Sequence, residues 1–407
     1  MKIWLKYLIA IAVGVTAGLV IPFGDGTILD AVAGAALNTG RYVLLPLCFA
    51  SMAVAAFELH DEKRLWIVWL KTAGFATAAV VALSLIGLAG AYALSPGRIP
   101  LSADAAPAVG SVPSPLAVLS AVMPPDALGT LSSFDFLLPS SLFAMILGIG
   151  LAFDKAASKP VAAMLDSASR ILWQVNSFFV ELLPLPLIVA AAARFVAVGR
   201  IPRLAVFGPL FAAVGAETAF VVLILLPATL WFVDRKTNPF KTLFAMLAPA
   251  LAGAVAGQTY LQAGVAAKHL KESLGVRRRA GAVSLPVALA FGRAGTAMVT
   301  TTAFVAILNS YSNLGLGSGA VLWMLVSAPI AALLLGATPG LGPIVALTSL
   351  CASYGRGFES GYILLVPAAL PLALAAAFVD SLCVNCVIYA VASSEGQVLP
   401  KDVRHFI

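Results

Sequence analysis

The chain has 407 residues, 61% of them hydrophobic and only 11% charged. A soluble surface needs roughly a quarter to a third charged residues, and disorder needs low apolar content, so both classes are excluded. The net charge of +7 is spread thinly along the chain and leaves no nucleic-acid footprint. A polytopic membrane protein remains, with length for up to about a dozen spans of about 20 residues.

Long unbroken apolar runs, such as Leu8 to Val20 and Ala78 to Leu94, dominate the chain. They exclude a β-barrel, whose strands alternate apolar and polar residues over about ten positions. Helical spans satisfy their own backbone hydrogen bonds in lipid. The opening Met1-Lys2-Ile3-Trp4-Leu5-Lys6 superficially resembles a secretory signal. It lacks a small-residue cleavage site, so a retained first helix is expected. Helices are expected over 4–22, 38–58, 65–94, 115–153, 160–198 and 203–233, the fourth and fifth long enough to be broken or tilted. After Asn238, two apolar segments too short to cross flank Gly257-Gln258-Thr259-Tyr260. A full helix is expected over 282–309. Two more short segments flank Gly336-Ala337-Thr338-Pro339-Gly340-Leu341-Gly342-Pro343, and a last helix covers 360–394.

Basic residues test this arrangement, because cytoplasmic loops carry the Lys/Arg excess. With a cytoplasmic N-terminus and both interrupted segments re-entrant, 18 of the 25 basic residues fall inside and six outside. Arg293 alone falls in mid-membrane. Arg194, Arg200 and Arg203 form one discordant outside cluster. Paired interrupted segments point to a transport site, since irregular backbone at membrane depth must be buried in protein or line a cavity. The competing reading makes each Gly/Pro cluster a tight turn outside the membrane; the short arms beside each cluster argue against it.

Several motifs then fall in a familiar order. Arg41-Tyr42-Val43-Leu44-Leu45-Pro46-Leu47-Cys48-Phe49-Ala50-Ser51 carries a Pro-x-x-Phe-x-Ser core. Leu138-Pro139-Ser140-Ser141-Leu142-Phe143-Ala144-Met145-Ile146-Leu147-Gly148-Ile149 carries Phe-Ala-x-x-Leu-Gly. Ser284-Leu285-Pro286 precedes Gly295-Thr296-Ala297; Thr338-Pro339-Gly340-Leu341-Gly342 and Ser394-Glu395-Gly396 follow. In this order the chain resembles the dicarboxylate/amino acid:cation symporters, the glutamate-transporter-like fold. The resemblance implies an all-α polytopic protein of eight transmembrane helices plus two re-entrant helical hairpins, with inverted repeats. It implies a homotrimer in which 1–64 and 115–200 form a scaffold. Segments 65–97 and 201–396 would form a transport domain that slides like an elevator, with 98–114 as linker and 397–407 as cytoplasmic tail.

The departures from that family carry the chemistry. The family's seventh helix unwinds at Asn-Met-Asp-Gly-Thr; here the aligned stretch is Gly292-Arg293-Ala294-Gly295-Thr296. The oxygen-bearing side chains that hard cations prefer are gone, and Gly292 offers only a carbonyl. In the last helix, Asp380 stands where the family has a substrate- and sodium-binding Asn, and Val384 where it has a sodium-binding Asp. Ala376 and Ala373 stand where it has the Arg and Asp that hold an acidic amino acid. The serine-rich first hairpin tip is replaced by Gln258-Thr259-Tyr260-Leu261.

Arg293 lies in an otherwise uncharged stretch from Gly281 to Phe304. At mid-membrane an Arg costs about 2.5–3.5 kcal/mol even on insertion scales, so it needs protein, water or a counter-charge. Asp380 is the expected ion-pair partner. Arg293 would replace a bound cation and offer its planar fork to a carboxylate; a purely structural pair is the alternative. The candidate substrate site is Thr259, Tyr260, Arg293, Thr296, Thr338, Pro339, Gly340, Asp380, Cys383 and Asn385, with Gly292 and Asp380 as weak cation ligands. A carboxyl group in an apolar interior can hold a proton near neutral pH, which makes Glu217 a proton-coupling candidate. Glu181 is expected at a structural interface. Cys383-Val384-Asn385-Cys386 reads as small packing residues rather than a metal site.

No nucleophile–base pattern, Walker loop or dinucleotide fingerprint occurs, so no enzyme is expected. The expected function is secondary transport of a small organic anion or amino-acid-like solute across a bacterial inner membrane, with both termini cytoplasmic. The coupling ion would be Na+ or H+, with no cofactor, metal or nucleic acid involved. A non-transporting scaffold that keeps the fold is the alternative.

Overall fold

The computed structural model describes residues 2–20, 27–100, 110–131, 137–201, 203–235, 237–311, 317–337, 342–399, 401 and 406. Among the described residues the regular structure is helical, apart from an isolated bridge between Val276 and Val398. The N-terminal half comprises α1 (Ile3–Val20), α2 (Thr27–Arg41), α3 (Leu44–Asp61), α4 (Leu65–Leu94), α5 (Pro115–Val122), α6 (Leu137–Phe153), α7 (Lys155–Leu182) and α8 (Pro184–Gly199). Next come α9 (Gly208–Phe220), α10 (Leu226–Val233), α11 (Pro239–Ala245), α12 (Leu247–Ala256) and α13 (Ala263–Glu272). The chain closes with α14 (Arg278–Phe291), α15 (Ala294–Tyr311), α16 (Ser318–Leu334), α17 (Gly342–Tyr354) and α18 (Ala369–Ser394). Six described helical runs are long and apolar enough to cross a membrane, or up to eight if each of two bent pairs counts as one span. The protein is an integral multi-pass membrane protein.

Local chemistry sets the boundaries. Asp154 starts α7 by accepting bonds from the amides of Ala156 and Ala157 at 3.1 and 3.0 Å. Asn238 starts α11 in the same way, with Pro239 just inside the helix, where its missing N–H is harmless. Gly257 ends α12 in the left-handed region at φ 66°, which only glycine enters without cost.

Several expected helices are interrupted. The 160–198 helix bends by 49° at the α7–α8 junction, because Pro184 cannot donate and clashes with the preceding turn. The 203–233 helix contains a π turn at Val221–Leu225, just ahead of Pro227. The 115–153 segment is two helices, α5 and α6. The 282–309 helix breaks at Gly292 and Arg293, between α14 and α15. Every residue of α15 from Ala294 to Leu308 is buried. It packs against α4, α17 and α18, and Gly87 of α4 sits directly on the Met298 carbonyl, where no side chain would fit. Close approach through small residues is how helices associate without a hydrophobic driving force. Elsewhere α1 packs on α8, α3 on α6 and α7, and α12 on α18.

Candidate functional site

The break between α14 and α15 is the organising feature. Gly292 has φ −82° and ψ 55°, and the Arg293 amide bonds back to Phe291 O at 2.9 Å; this is an inverse γ-turn. The restarted helix leaves its first amides without intrahelical acceptors, and a carboxylate from α18 supplies one. Asp380 Oδ1 accepts from the Thr296 amide at 3.0 Å, and Oδ2 accepts from the Thr296 hydroxyl at 2.6 Å. The negative charge thus caps the positive end of α15. Gly295 makes the approach possible: a Cβ there would lie 2.6 Å from the Ala376 carbonyl oxygen.

Arg293 projects from the same break and is 6% exposed. Its Nη1 donates to the Thr259 hydroxyl at 3.4 Å, and its guanidinium lies 5.3 Å from the Tyr260 ring centre. Thr259 in turn donates to Asp380 Oδ2 at 3.5 Å. The direct Arg293–Asp380 ion pair expected from the sequence is not formed. Thr259 stands between the two charges, and the carboxylate is spent on α15. Arg293 makes no salt bridge with any described residue, and its Nε has no partner among them.

Tyr260 ties the two interrupted regions together, donating to the Gly336 carbonyl at 2.7 Å. Thr338, Pro339 and Gly340 lie outside the described residues. On the far side of that gap, a Cβ on Gly342 would lie 3.3 Å from the Thr296 side chain. Gly336 and Gly342 therefore both touch residues of the candidate site. Asn385 Nδ2 donates to Gln262 Oε1 at 3.0 Å and to the Ser381 carbonyl at 2.7 Å. Gln262 Nε2, Asn385 Oδ1 and Ser381 Oγ are fully buried without partners among the described residues. Such orphan atoms are rare and call for a ligand or water.

Sequence reasoning missed Gln262, because a single amide in an apolar run has no pattern. Arg194 donates from Nη2 to the Ala256 carbonyl at 3.3 Å, at the C-terminal end of α12, where a cation is favoured. Cys383 makes no hydrogen bond to Arg293. With Cys386 it lines an apolar groove of about 310 Å³ between α4, α10 and α18.

Glu217 of α9 is 3% exposed. Its Oε2 accepts from the Thr302 hydroxyl at 2.7 Å, while Oε1 presses on Gly90 and has no partner among the described residues. The titratable groups on the helices packed against α9 are Lys71 and Tyr92 of α4, Tyr311 of α15, and Asp380, Cys383, Cys386 and Tyr389 of α18. None of them bonds to Glu217. Glu181 pairs with Lys268 at 2.9 Å across the α7–α13 contact, the structural interface expected for it.

The sequence profile of the sodium:dicarboxylate symporter family matches residues 3–378. The chain belongs to that family. No curated protein sequence matches it. As a member of this symporter family the protein is a secondary transporter, not an enzyme. The match ends two residues before Asp380, so the family profile does not reach Asp380, Ser381 or Asn385. The side chains at the α14–α15 break offer sodium little. Gly292 and Ala294 carry no side-chain oxygen, and both oxygens of Asp380 are already engaged.

Proposed function

We propose that the protein carries a small organic anion, with Arg293 as its anchor. One observation supports this above the others: a buried guanidinium has no ion pair and an unpartnered Nε. Asp380 acts on that charge through space and through Thr259, without a direct contact, and losing the direct partner of a buried charge costs about 3–5 kcal/mol. A carboxylate arriving on the open side of Arg293 removes that cost and gains charge-assisted bonds. Dicarboxylates, the solutes in the family's name, suit this chemistry. Gln262, Ser381 and Asn385 would bind the solute's second polar group. The positive charge of Arg293 takes the place of bound sodium, and Glu217 carries a proton as coupling ion. The two interrupted regions act as re-entrant hairpins around the solute. The segments 65–97 and 201–396 move together against a trimeric scaffold of 1–64 and 115–200, in a bacterial inner membrane with both termini inside.

The test is uptake into liposomes of labelled C4 dicarboxylates and amino acids, with and without sodium. Sodium-independent uptake is expected. It should fall about 100-fold or more in Arg293→Ala, following the cost of an unpaired buried charge, and survive in Ala376→Gly. Strict sodium dependence would overturn the role given to Arg293. No uptake across the panel would favour a scaffold that only keeps the fold.

A further inference from the structure

A second cluster of charge lies between α3, α7, α13 and α14. A small cavity of about 40 Å³ has an apolar back wall that includes Leu47, Leu270 and Leu285. Its rim carries Lys271, Arg277 and Arg278. Lys271 Nζ sits 4.5 Å from the Trp173 ring centre, and it lies within electrostatic reach of Arg170, Arg278, Lys401 and Glu272. Asp166 bonds Arg278 and Arg170. Around this rim five cations therefore face two carboxylates, a surplus of three positive charges. Arg277 is exposed, and its side chain has no partner among the described residues.

We infer that this cavity is a binding site for the phosphate headgroup of an anionic phospholipid. Two observations select a lipid over a free anion. The rim lies where the span Arg278–Tyr311 begins, at the level of headgroups. The wall behind it is apolar, which suits the start of an acyl chain and repels a hydrated ion. Basic pockets between membrane helices bind such headgroups, with about 1 kcal/mol per Lys or Arg near an anionic surface. A lipid seated here touches α3 and α7 on one side and α13 and α14 on the other, so it braces one packing of these helices.

The site is independent of the solute reading, and its test needs no transport. Purified protein is titrated in nanodiscs or detergent with phosphatidylglycerol, phosphatidylcholine, or inorganic phosphate alone, and bound lipid is counted by native mass spectrometry. Phosphatidylglycerol is expected to bind and to raise the thermal midpoint, as any ligand of the native state does. Arg277→Gln removes a charge without an intramolecular partner, so folding should be spared; affinity should fall about fivefold. Lys271→Gln with Arg277→Gln should lower it about 25-fold. Lys6→Gln with Lys159→Gln removes two charges outside the cavity and should change nothing. Equal binding of phosphatidylcholine, an equal loss in the Lys6/Lys159 variant, or an equal thermal shift by inorganic phosphate would each overturn the proposal.

Discussion

Replacing Gly295 with Ala sets two rules against each other. Inside a helix, Ala is favoured over Gly by about 1 kcal/mol, so propensity alone predicts a more stable protein. The added methyl, however, would lie 2.6 Å from Ala376 O and from Val379 Cβ, and 2.8 Å from Asp380 N. The oxygen and nitrogen are α18 backbone, which cannot swing aside as a flexible side chain would. Overpacking of this kind costs about 1–3 kcal/mol. If α15 backs away, the 3.0 and 2.6 Å bonds from Thr296 to Asp380 lengthen, and one charge-assisted bond contributes about 1.5–3 kcal/mol. The net expectation is destabilisation by about 2–5 kcal/mol. Gly74→Ala in α4 is the matched control, because a Cβ there meets nothing within 4 Å; it should be neutral or stabilising by up to about 1 kcal/mol. Denaturant unfolding of both variants in the same detergent measures the difference. If both shift in the same direction by similar amounts, the cap on α15 does not depend on this contact.

Tyr260→Phe removes the hydroxyl held by Gly336. It should cost about 1 kcal/mol and raise hydrogen exchange at residues 257–262, read by mass spectrometry. Glu217→Gln should keep solute uptake while abolishing its dependence on an imposed pH gradient; a wild-type pH response would remove Glu217 from coupling. Glu181→Gln leaves the Lys268 ammonium buried without its 2.9 Å partner. The exposed position of Glu181 limits the loss to about 1–2 kcal/mol, and adding Lys268→Met should recover part of it in a double-mutant cycle.

Much of the site was legible because charge is so scarce. Arg293, Asp380 and Glu217 stand out in apolar sequence, and all three are buried. The first interruption was equally plain: Gly257-Gln258-Thr259-Tyr260 lies between α12 and α13. The break at Gly292 was hidden from hydropathy, since apolar residues continue on both sides of one Arg. A γ-turn leaves no compositional trace. The pairing of charges was misjudged for a related reason. Opposite charges in adjoining helices suggest contact, but only geometry shows that an uncapped helix end competes for the carboxylate. Tyr260 and Gly336 are 76 residues apart, and no local pattern predicts that they meet.

The hydroxyl of Thr259 carries a single hydrogen. It points that hydrogen towards Asp380 and presents a lone pair to Arg293, so the three groups form a chain with a fixed direction. An oxygen that competes for Arg293 Nη1 withdraws the donor at one end and leaves the other end unchanged. The turn at 259–262 then stays tied to α18 through Thr259 and Gln262, and to the second interrupted region through Tyr260. A solute oxygen at the guanidinium would thus be sensed at Thr259 through the loss of one bond, without any helix having to move first. A valine at that position would fill the same space but could not relay the message.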